Sequence, residues 1–410
     1  MHRLAIDFGT SNSAAALAHE GGIYRIPIEG HADTLPTAVF FPVEGGPMRI
    51  GAAATASLIA GDEGRYMRAL KSVLGLPLLH EKRFIGGRRQ SLADIVAAFL
   101  AALRERAELH TGLVLRQALS GRPVHFHTAD PAKDAQAEAD LRACYHAAGF
   151  EDVRFLAEPE AAALASHQPG RTLGLIVDIG GGTSDFSLFQ SQGGHPEILA
   201  SHGIRLGGTD FDQAVSMTHA MPLLGLEGQL RRQLGTEVLP VPRAPYLELA
   251  TWAKIPFLYN PETRRMAADM LKVAIDPRAI GRFCKVLDHE LGHSLAFAVE
   301  RGKIEANGEV PVGRIDMANI ESELFVAVTA ESLDAALARH RAALREAAHE
   351  TLALADRAPH EVGEVILVGG SSLMRLVRDE IQQQFPRAQL RSADAFTAVV
   401  DGLALAARAL

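Results

Sequence analysis

IVDIGGGTSDFSLF, residues 176–189, places two apolar runs on either side of a polar turn with three consecutive glycines. The apolar runs predict the end of one buried strand and the start of the next. Gly180, Gly181 and Gly182 permit positive φ and carry no Cβ, so this backbone can approach an anion closely and direct N–H groups at it. Thr183 adds a hydroxyl to the same turn. The stretch therefore predicts a hairpin whose turn binds phosphate.

Two carboxylates flank this turn, Asp178 before it and Asp185 after it. Carboxylates beside bound phosphates would repel them unless a cation lies between the two kinds of group. Mg²⁺ prefers oxygen ligands and is commonly bound by carboxylates together with substrate phosphates. The pair therefore favours a site for phosphate and magnesium together.

The N-terminus repeats this pattern. Residues 4–17 read LAIDFGTSNSAAAL, which is an apolar strand, then Asp7, Gly9 and hydroxyl residues, then a second apolar strand. Two units with the same order of strand, Asp-x-Gly, hydroxyl residue and strand indicate an internal duplication. We expect a nucleotide to lie between the two halves, with its phosphates contacted by one hairpin from each.

Composition limits the class of protein. The 410 residues favour two or three domains, and 41 basic against 49 acidic residues give a net charge of −8, which argues against nucleic acid as the main partner. No apolar run reaches the roughly 18 residues that a membrane span requires. The N-terminus begins a strand directly, without a signal peptide, and the two cysteines have no C-x-x-C spacing. We expect a cytoplasmic protein with reduced thiols.

Two further stretches contain paired glycines, GIRLGGTDFD at 203–212 and ILVGGSS at 366–372. Together with the two hairpins, in this order, they resemble the ATPase domain of Hsp70 chaperones, a member of the actin, sugar kinase and Hsp70 superfamily. The resemblance covers nearly the whole chain. It implies an α/β actin-like ATPase fold, in which two duplicated ribonuclease H-like lobes each carry an inserted small subdomain and enclose a nucleotide cleft. It also implies ATP or ADP and Mg²⁺ as cofactors.

The resemblance also assigns domain boundaries. Lobe I would span residues 1–170, with a core of 1–30 and 91–170 around an inserted subdomain of 31–90. Lobe II would span residues 171–410, with a core of 171–208 and 329–410 around an inserted subdomain of 209–328.

Catalytic roles follow from the matching positions. Lys71, in RALKSVLG at 68–75, falls where Hsp70 proteins have a catalytic lysine, and Glu158 falls on the glutamate of their E-P-x-A-A-A motif. The resemblance implies that Lys71 neutralises charge on the γ-phosphoryl group and orients the attacking water. Glu158 would help to position water or Mg²⁺. Asp7 and Asp178 would hold Mg²⁺, mostly through water.

Nucleotide contacts are implied in the same way. Those to the β- and γ-phosphates would come from Gly9, Thr10, Ser11, Asn12, Gly180, Gly181, Gly182 and Thr183, supported by backbone at Gly207 and Gly208. Those to the adenosine would come from Glu300, Lys303, Asn307, Gly369, Gly370 and Ser371. Ile304 and Leu373 stand where the family normally has arginines, and the loss of a cation–π contact predicts altered affinity for adenine.

His289, Glu290 and His293 form a literal H-E-x-x-H match to zinc proteases. The pattern requires both histidines on one face of a helix. We expect one helix to run through residues 287–306 into VERGK, which resembles the adenosine-binding segment of Hsp70 proteins. Because no third ligand follows at the spacing of known zinc proteases, the adenosine-binding interpretation is preferred and we expect no zinc.

The functional hypothesis is a slow Mg-dependent ATPase that acts as a chaperone-type nucleotide switch. We expect this ATPase pattern to occur without its own peptide-binding domain, as in the short YegD-type Hsp70-like proteins. We therefore expect a separate protein client or cofactor to dock on the lobes, and expect unfolded peptides not to stimulate hydrolysis. Two alternatives are a small-molecule kinase of the same superfamily and an actin-like filament or scaffold protein.

Overall fold

The computed structural model describes residues 2–19, 22–127, 130–166, 173–192, 195–232, 237–309, 312–392 and 397–408. The chain divides into two compact units. The first comprises Met1–Gly208 and Arg341–Leu410, and the second comprises Thr209–His340. Residue 170, where lobe I was predicted to end, lies outside the described residues, and the division into lobes stays a prediction.

The strands are β1 (Arg3–Phe8), β2 (Asn12–His19), β3 (Gly22–Arg25), β4 (Leu35–Pro36), β5 (Ala38–Pro42), β6 (Arg49–Ile50), β7 (Gly64–Arg68), β8 (Arg83–Ile85), β9 (Arg88–Gln90), β10 (Gln117–Arg122), β11 (Asp152–Ala157), β12 (Leu173–Ile179), β13 (Ser184–Gln192), β14 (His195–Ile204), β15 (Gln229–Arg231), β16 (Val238–Pro240), β17 (Val312–Asp316), β18 (Phe325–Thr329), β19 (Glu364–Val368) and β20 (Gln389–Ser392). The helices are α1 (Ala52–Ala60), α2 (Leu92–Thr111), α3 (Pro131–Ala147), α4 (Glu158–Ser166), α5 (Gly208–Val215), α6 (Ala244–Leu249), α7 (Pro261–Val273), α8 (Pro277–Asp288), α9 (Gly292–Ala306), α10 (Ala330–Leu354), α11 (Arg375–Gln384) and α12 (Ala398–Ala407).

The two largest sheets described in the first unit have equivalent strand orders, one read from β3 to β11 and the other from β14 to β20. One runs β11-β10-β1-β2-β3, with β4 paired to β2, and the other runs β14-β13-β12-β19-β20. In each sheet the first strand of the hairpin pairs antiparallel with the second and parallel with a later strand, β10 or β19. The sheets match strand for strand, which confirms the predicted duplication and the α/β fold class.

Helices α4 and α12 pack against each other and connect the two sheets. Helix α12 contacts β1, β2 and β10 of one sheet, while α4 contacts β12 and β13 of the other. Small side chains allow this close packing, because a Cβ at Gly402 of α12 would overlap the carbonyl of Ala161 in α4. The shared core includes Ala5, Ala14, Leu119, Ala161, Ala162, Ile176, Phe189, Ile366, Val399 and Leu403. This packing places the turns of the two predicted hairpins at one site.

The second unit is mainly helical. The hairpin of β17 and β18 packs against α9, and Trp252 packs edge-on against Phe297 at 5.0 Å between ring centroids. None of the helices in the described ranges is both long enough and apolar enough to cross a membrane.

The single helix expected over residues 287–306 is wrong. Helix α8 ends at Asp288 and α9 begins at Gly292, and Glu290 between them has a φ of 54°. Tyr259 stabilises the break, since its hydroxyl accepts a bond from the Gly292 N–H at 3.0 Å and donates to the Glu290 carbonyl at 3.1 Å. His289 therefore lies in the turn after α8 while His293 lies in α9, so the histidines of the H-E-x-x-H match do not share a helix face.

Candidate active site

The turns between β1 and β2 and between β12 and β13 face each other across the first unit. A Cβ at Gly181 would overlap the Ser11 hydroxyl, and one at Gly182 would lie 3.1 Å from Thr10 Oγ1. Gly9 is equally constrained, because a Cβ there would overlap a backbone carbonyl of its own turn. Glycine is therefore required where the two turns approach, and their backbone N–H groups and hydroxyls can converge on one anion.

Other predicted contact residues hold the second turn in place. The Gly208 N–H and the Ser371 hydroxyl both donate to the Gly180 carbonyl at 3.0 Å. A Cβ at Gly207 would lie 2.5 Å from the Gly182 nitrogen, so this glycine packs directly on the turn. Gly369, with a φ of 81°, packs in the same way against the start of the turn and the Asp178 side chain. These residues position the phosphate-binding backbone.

Lys71 and Glu158 form a buried ion pair at the same site. Lys71 Nζ lies 2.6 Å from Glu158 Oε1, and the two residues are 7% and 8% exposed. Lys71 is held in a 3-10 turn over Leu70–Val73, and Glu158 is the first residue of α4. A Cβ at Gly121 of β10 would lie 3.1 Å from Glu158 Cγ. The two predicted catalytic residues are thus brought together from segments 87 positions apart.

Buried carboxylates surround this pair. Burial and the charge of Glu158 raise the pKa of Asp7 to about 7, although Lys71 opposes the shift. Burial and Glu158 likewise raise the pKa of Asp185 to about 8, and burial raises the pKa of Asp178 well above its ordinary value. Burial alone would lower the pKa of Lys71, but Glu158 and Asp7 raise it. The site therefore has an excess of buried acidic groups, and their raised pKa values reflect the cost of ionising them together without a cation.

Such an arrangement fits a divalent cation, which would relieve the repulsion between the carboxylates. Within the described ranges, no three His, Cys, Asp or Glu side chains converge closely enough to hold a metal ion by themselves. Mg²⁺ usually keeps several waters and binds one or two carboxylates together with substrate phosphates. Asp7 and Asp178 are suited to that mode of binding.

Two residues at the site were given no contact by the family resemblance, although Asp185 was predicted from the sequence as one of the two carboxylates that flank the turn. Asp185 accepts a hydrogen bond from the Val124 N–H at 2.8 Å and so links the second hairpin to the segment after β10. Arg205 lines a small cavity together with residues of both turns. The cavity is lined by Thr10, Lys71, Ser72, Leu74, Pro123, Phe126, His127, Gly182, Thr183 and Arg205. The sequence marks Asp185 as the carboxylate after the glycine turn, but no local pattern in the sequence indicates Arg205.

Of the predicted adenosine contacts of the second unit, Glu300 and Lys303 lie on α9 and Asn307 directly follows it. Lys303 is 6% exposed, and its ammonium lies 2.7 Å from the Asp212 carboxylate, which also accepts a bond from Trp252 Nε1 at 3.2 Å. Glu300 and Asn307 are half-buried. Ile304 is 58% exposed. The Lys303 ammonium is therefore engaged in a buried ion pair inside this unit.

Comparisons with known proteins agree with this geometry. A family model described as Hsp70 protein matches residues 80–223. The chain is 25% identical to the chaperone protein DnaK of Thermosipho melanesiensis, over 99% of this chain and 59% of that protein. It is 27% identical to the chaperone protein HscA homolog of Pseudoalteromonas atlantica, over 98% of this chain and 58% of that protein.

The chain thus spans about three-fifths of the length of these curated relatives. Together with the duplicated sheets, the matches support an Hsp70-type ATPase domain with the actin-like ATPase fold.

Proposed function

We propose that this chain binds Mg-ATP at the two facing turns and hydrolyses it slowly, as a chaperone-type nucleotide switch. The observation that carries the proposal is the approach of Thr10 and Ser11 to Gly181 and Gly182, directly beside the buried pair of Lys71 and Glu158. Opposed glycine-rich turns offer many backbone donors to phosphate, and the nearby carboxylates suit its magnesium ion.

Each residue then has a distinct role. The turn residues Thr10, Ser11, Gly181, Gly182 and Thr183 bind and orient the phosphates. Asp7 and Asp178 hold the hydrated Mg²⁺, which supplies positive charge to the phosphate oxygens when it is bound. Phosphoryl transfer depends mainly on such positioning and electrostatic stabilisation.

Lys71 and Glu158 are assigned to the chemical step. The Lys71 ammonium stabilises the charge that develops on the γ-phosphoryl group, and Glu158 fixes the ammonium by their ion pair. Glu158 also orients water next to the phosphoryl group. Because this charge grows only as the bond to the leaving oxygen breaks, Lys71 contributes more to the rate than to ATP affinity.

We further propose that a separate protein reads the nucleotide state. The names of the relatives describe chaperones, which motivates a protein client or cofactor as the partner.

Thermal denaturation with and without Mg-ATP tests the proposed binding. A ligand that binds only the native state raises the melting temperature by mass action. We expect millimolar Mg-ATP to stabilise the wild type, and Gly181→Ala to abolish this effect because its Cβ would overlap Ser11. Gly281→Ala is a matched control, since a Cβ there lies 4.0 Å from its nearest neighbour, Leu271 Cδ1.

The melting temperature of each variant without ligand checks that it folds. No stabilisation of a folded wild type by Mg-ATP would refute the proposal, as would equal stabilisation of wild type and Gly181→Ala.

A further inference from the structure

Arg205 bridges the two halves of the first unit at the candidate active site. One half contains the sheet of β12, β13 and β14 with the Gly180–Gly182 turn, and the other half contains the sheet of β1 and β2 together with Lys71. Arg205 directly follows β14 in the first of these halves, yet its guanidinium contacts the second. Nη2 donates to the Ser72 carbonyl at 2.9 Å, and Nη1 lies 3.1 Å from His127 Nδ1.

The second contact has a defined direction. His127 Nε2 lies 2.8 Å from the Leu74 carbonyl oxygen, and a carbonyl oxygen only accepts hydrogen bonds. Nε2 therefore carries the proton in this arrangement, which leaves Nδ1 of the neutral ring as an acceptor for Arg205. The Arg205 guanidinium thus reaches Ser72 directly and Leu74 through the histidine. Both acceptors lie within three residues after Lys71.

The turn that carries Lys71 has little stability of its own. It is a 3-10 turn over Leu70–Val73, preceded by Ala69 at a φ of 60°, which is unfavourable for a residue with a Cβ. Its own hydrogen bonds include Ser72 N to Ala69 O at 3.0 Å and Leu74 N to Lys71 O at 3.3 Å. Contacts from outside the turn are needed to fix its position.

The close approach of Gly75 allows His127 to occupy this position. Gly75 has a φ of 75°, and a Cβ there would lie 3.0 Å from His127 Nε2 and 2.6 Å from the Lys133 carbonyl oxygen. His127 is 9% exposed, so it is a packed part of the connection between Arg205 and Leu74.

We propose that Arg205 is a positioning residue for Lys71, an inference that rests on the proposed ATPase function. Its planar guanidinium binds the Ser72 carbonyl directly and the Leu74 carbonyl through His127. These contacts connect the Ser72–Leu74 backbone to the half that carries the Gly181–Thr183 turn. This connection keeps the Lys71 ammonium at the place where it would contact the γ-phosphoryl group. The fork geometry requires arginine, because a lysine ammonium cannot satisfy two divergent acceptors with the same orientation.

Hydrogen–deuterium exchange of the nucleotide-free protein tests the structural part of the proposal. We expect Arg205→Ala to accelerate exchange in peptides that cover residues 72–76, because the N–H groups of Ser72, Leu74 and Leu76 donate the hydrogen bonds that close this turn. Arg116→Ala is a matched control, since Arg116 is also exposed and donates to a backbone carbonyl, that of Gly149. Unchanged exchange in Arg205→Ala would overturn the proposal whether or not the protein hydrolyses ATP.

Single-turnover hydrolysis tests the functional part. We expect Arg205→Ala to lower the rate about 10- to 100-fold, as a misplaced catalytic group does, with little change in the Kd for Mg-ATP. Arg205→Lys should restore little of the rate, and Arg116→Ala should match the wild type. Full rescue by lysine would show that Arg205 acts by charge alone and would overturn the positioning role.

Combination with Lys71→Ala separates this role from a direct contact with phosphate. If Arg205 acts through Lys71, then Arg205→Ala should cause no further loss of rate in the Lys71→Ala background. An equal further loss would contradict the proposal. Absence of hydrolysis by the wild type would instead reject the proposed ATPase function, with hydrogen exchange still deciding whether Arg205 fastens the turn.

Discussion

Asp185 offers a test of the charge balance in the candidate site. Its side chain is 1% exposed and accepts the Val124 N–H bond, and burial with the charge of Glu158 raises its pKa from 3.8 to about 8. Asp185→Asn removes the charge and retains an oxygen that can accept the same hydrogen bond. The substitution therefore isolates the effect of ionisation from that of the contact.

The sign of the effect follows from proton linkage. Between pH 4 and about 8 the folded protein holds a proton on Asp185 that the unfolded chain releases. The stability that this proton contributes is fully present below the pKa of Asp185 in the unfolded chain. It is lost as the pH rises through the pKa of Asp185 in the folded protein. One such proton changes the free energy of unfolding by about 1.36 kcal/mol for each pH unit, or about 4 kcal/mol between pH 5 and pH 8.

The free energy of unfolding of the wild type should therefore fall between pH 5 and pH 8 by about 4 kcal/mol more than that of Asp185→Asn. Urea denaturation at both pH values, with EDTA present and no nucleotide, measures the difference. Asp379→Asn is the matched control, since Asp379 is an exposed carboxylate on α11. If the difference in the free energy of unfolding between Asp185→Asn and the wild type does not change with pH, the raised pKa of the buried Asp185 carboxyl is refuted.

Two further predictions concern other parts of the chain. Gly402→Ala should destabilise the protein by about 3 kcal/mol or more, because the added Cβ would overlap the Ala161 carbonyl between α12 and α4; a loss below about 0.5 kcal/mol in urea denaturation, within the range of ordinary surface changes, would contradict this packing. Protein purified without chelator should hold no stoichiometric zinc by metal analysis, because Glu290 interrupts the helix between His289 and His293; one tightly held zinc per chain, lost in His289→Ala, would reverse that conclusion.

The sequence predicts the parts of the site that depend on local pattern. Glycines, an Asp-x-Gly order and flanking apolar strands recur in both halves, so the two hairpins and their duplication follow from short stretches such as residues 176–189. Lys71 and Glu158 were each predicted as site residues through the family resemblance, but their pairing was not. Their 2.6 Å contact joins residues 87 positions apart, which no local periodicity encodes.

The features that sequence reasoning missed depend on tertiary contacts. Arg205 and His127 lie 78 positions apart, and each alone is indistinguishable from an ordinary surface or packed residue. The helix break before Gly292 depends on the Tyr259 hydroxyl, which bonds both the Gly292 N–H and the Glu290 carbonyl from more than 30 positions away. The expectation of one helix over residues 287–306 came with the resemblance of VERGK to the adenosine-binding segment, which does not indicate this break.

Single-turnover hydrolysis of Mg-ATP by wild type and Lys71→Ala, together with the Kd of each protein for Mg-ATP, tests the central claim most directly. The account predicts slow hydrolysis by the wild type and a large loss of rate in Lys71→Ala, with similar Kd values. The reason is that Lys71 stabilises charge formed in the transition state, whereas the facing turns bind the ground state. Equal rates for the two proteins, at equal and measurable ATP affinity, would contradict the role of the Lys71–Glu158 pair.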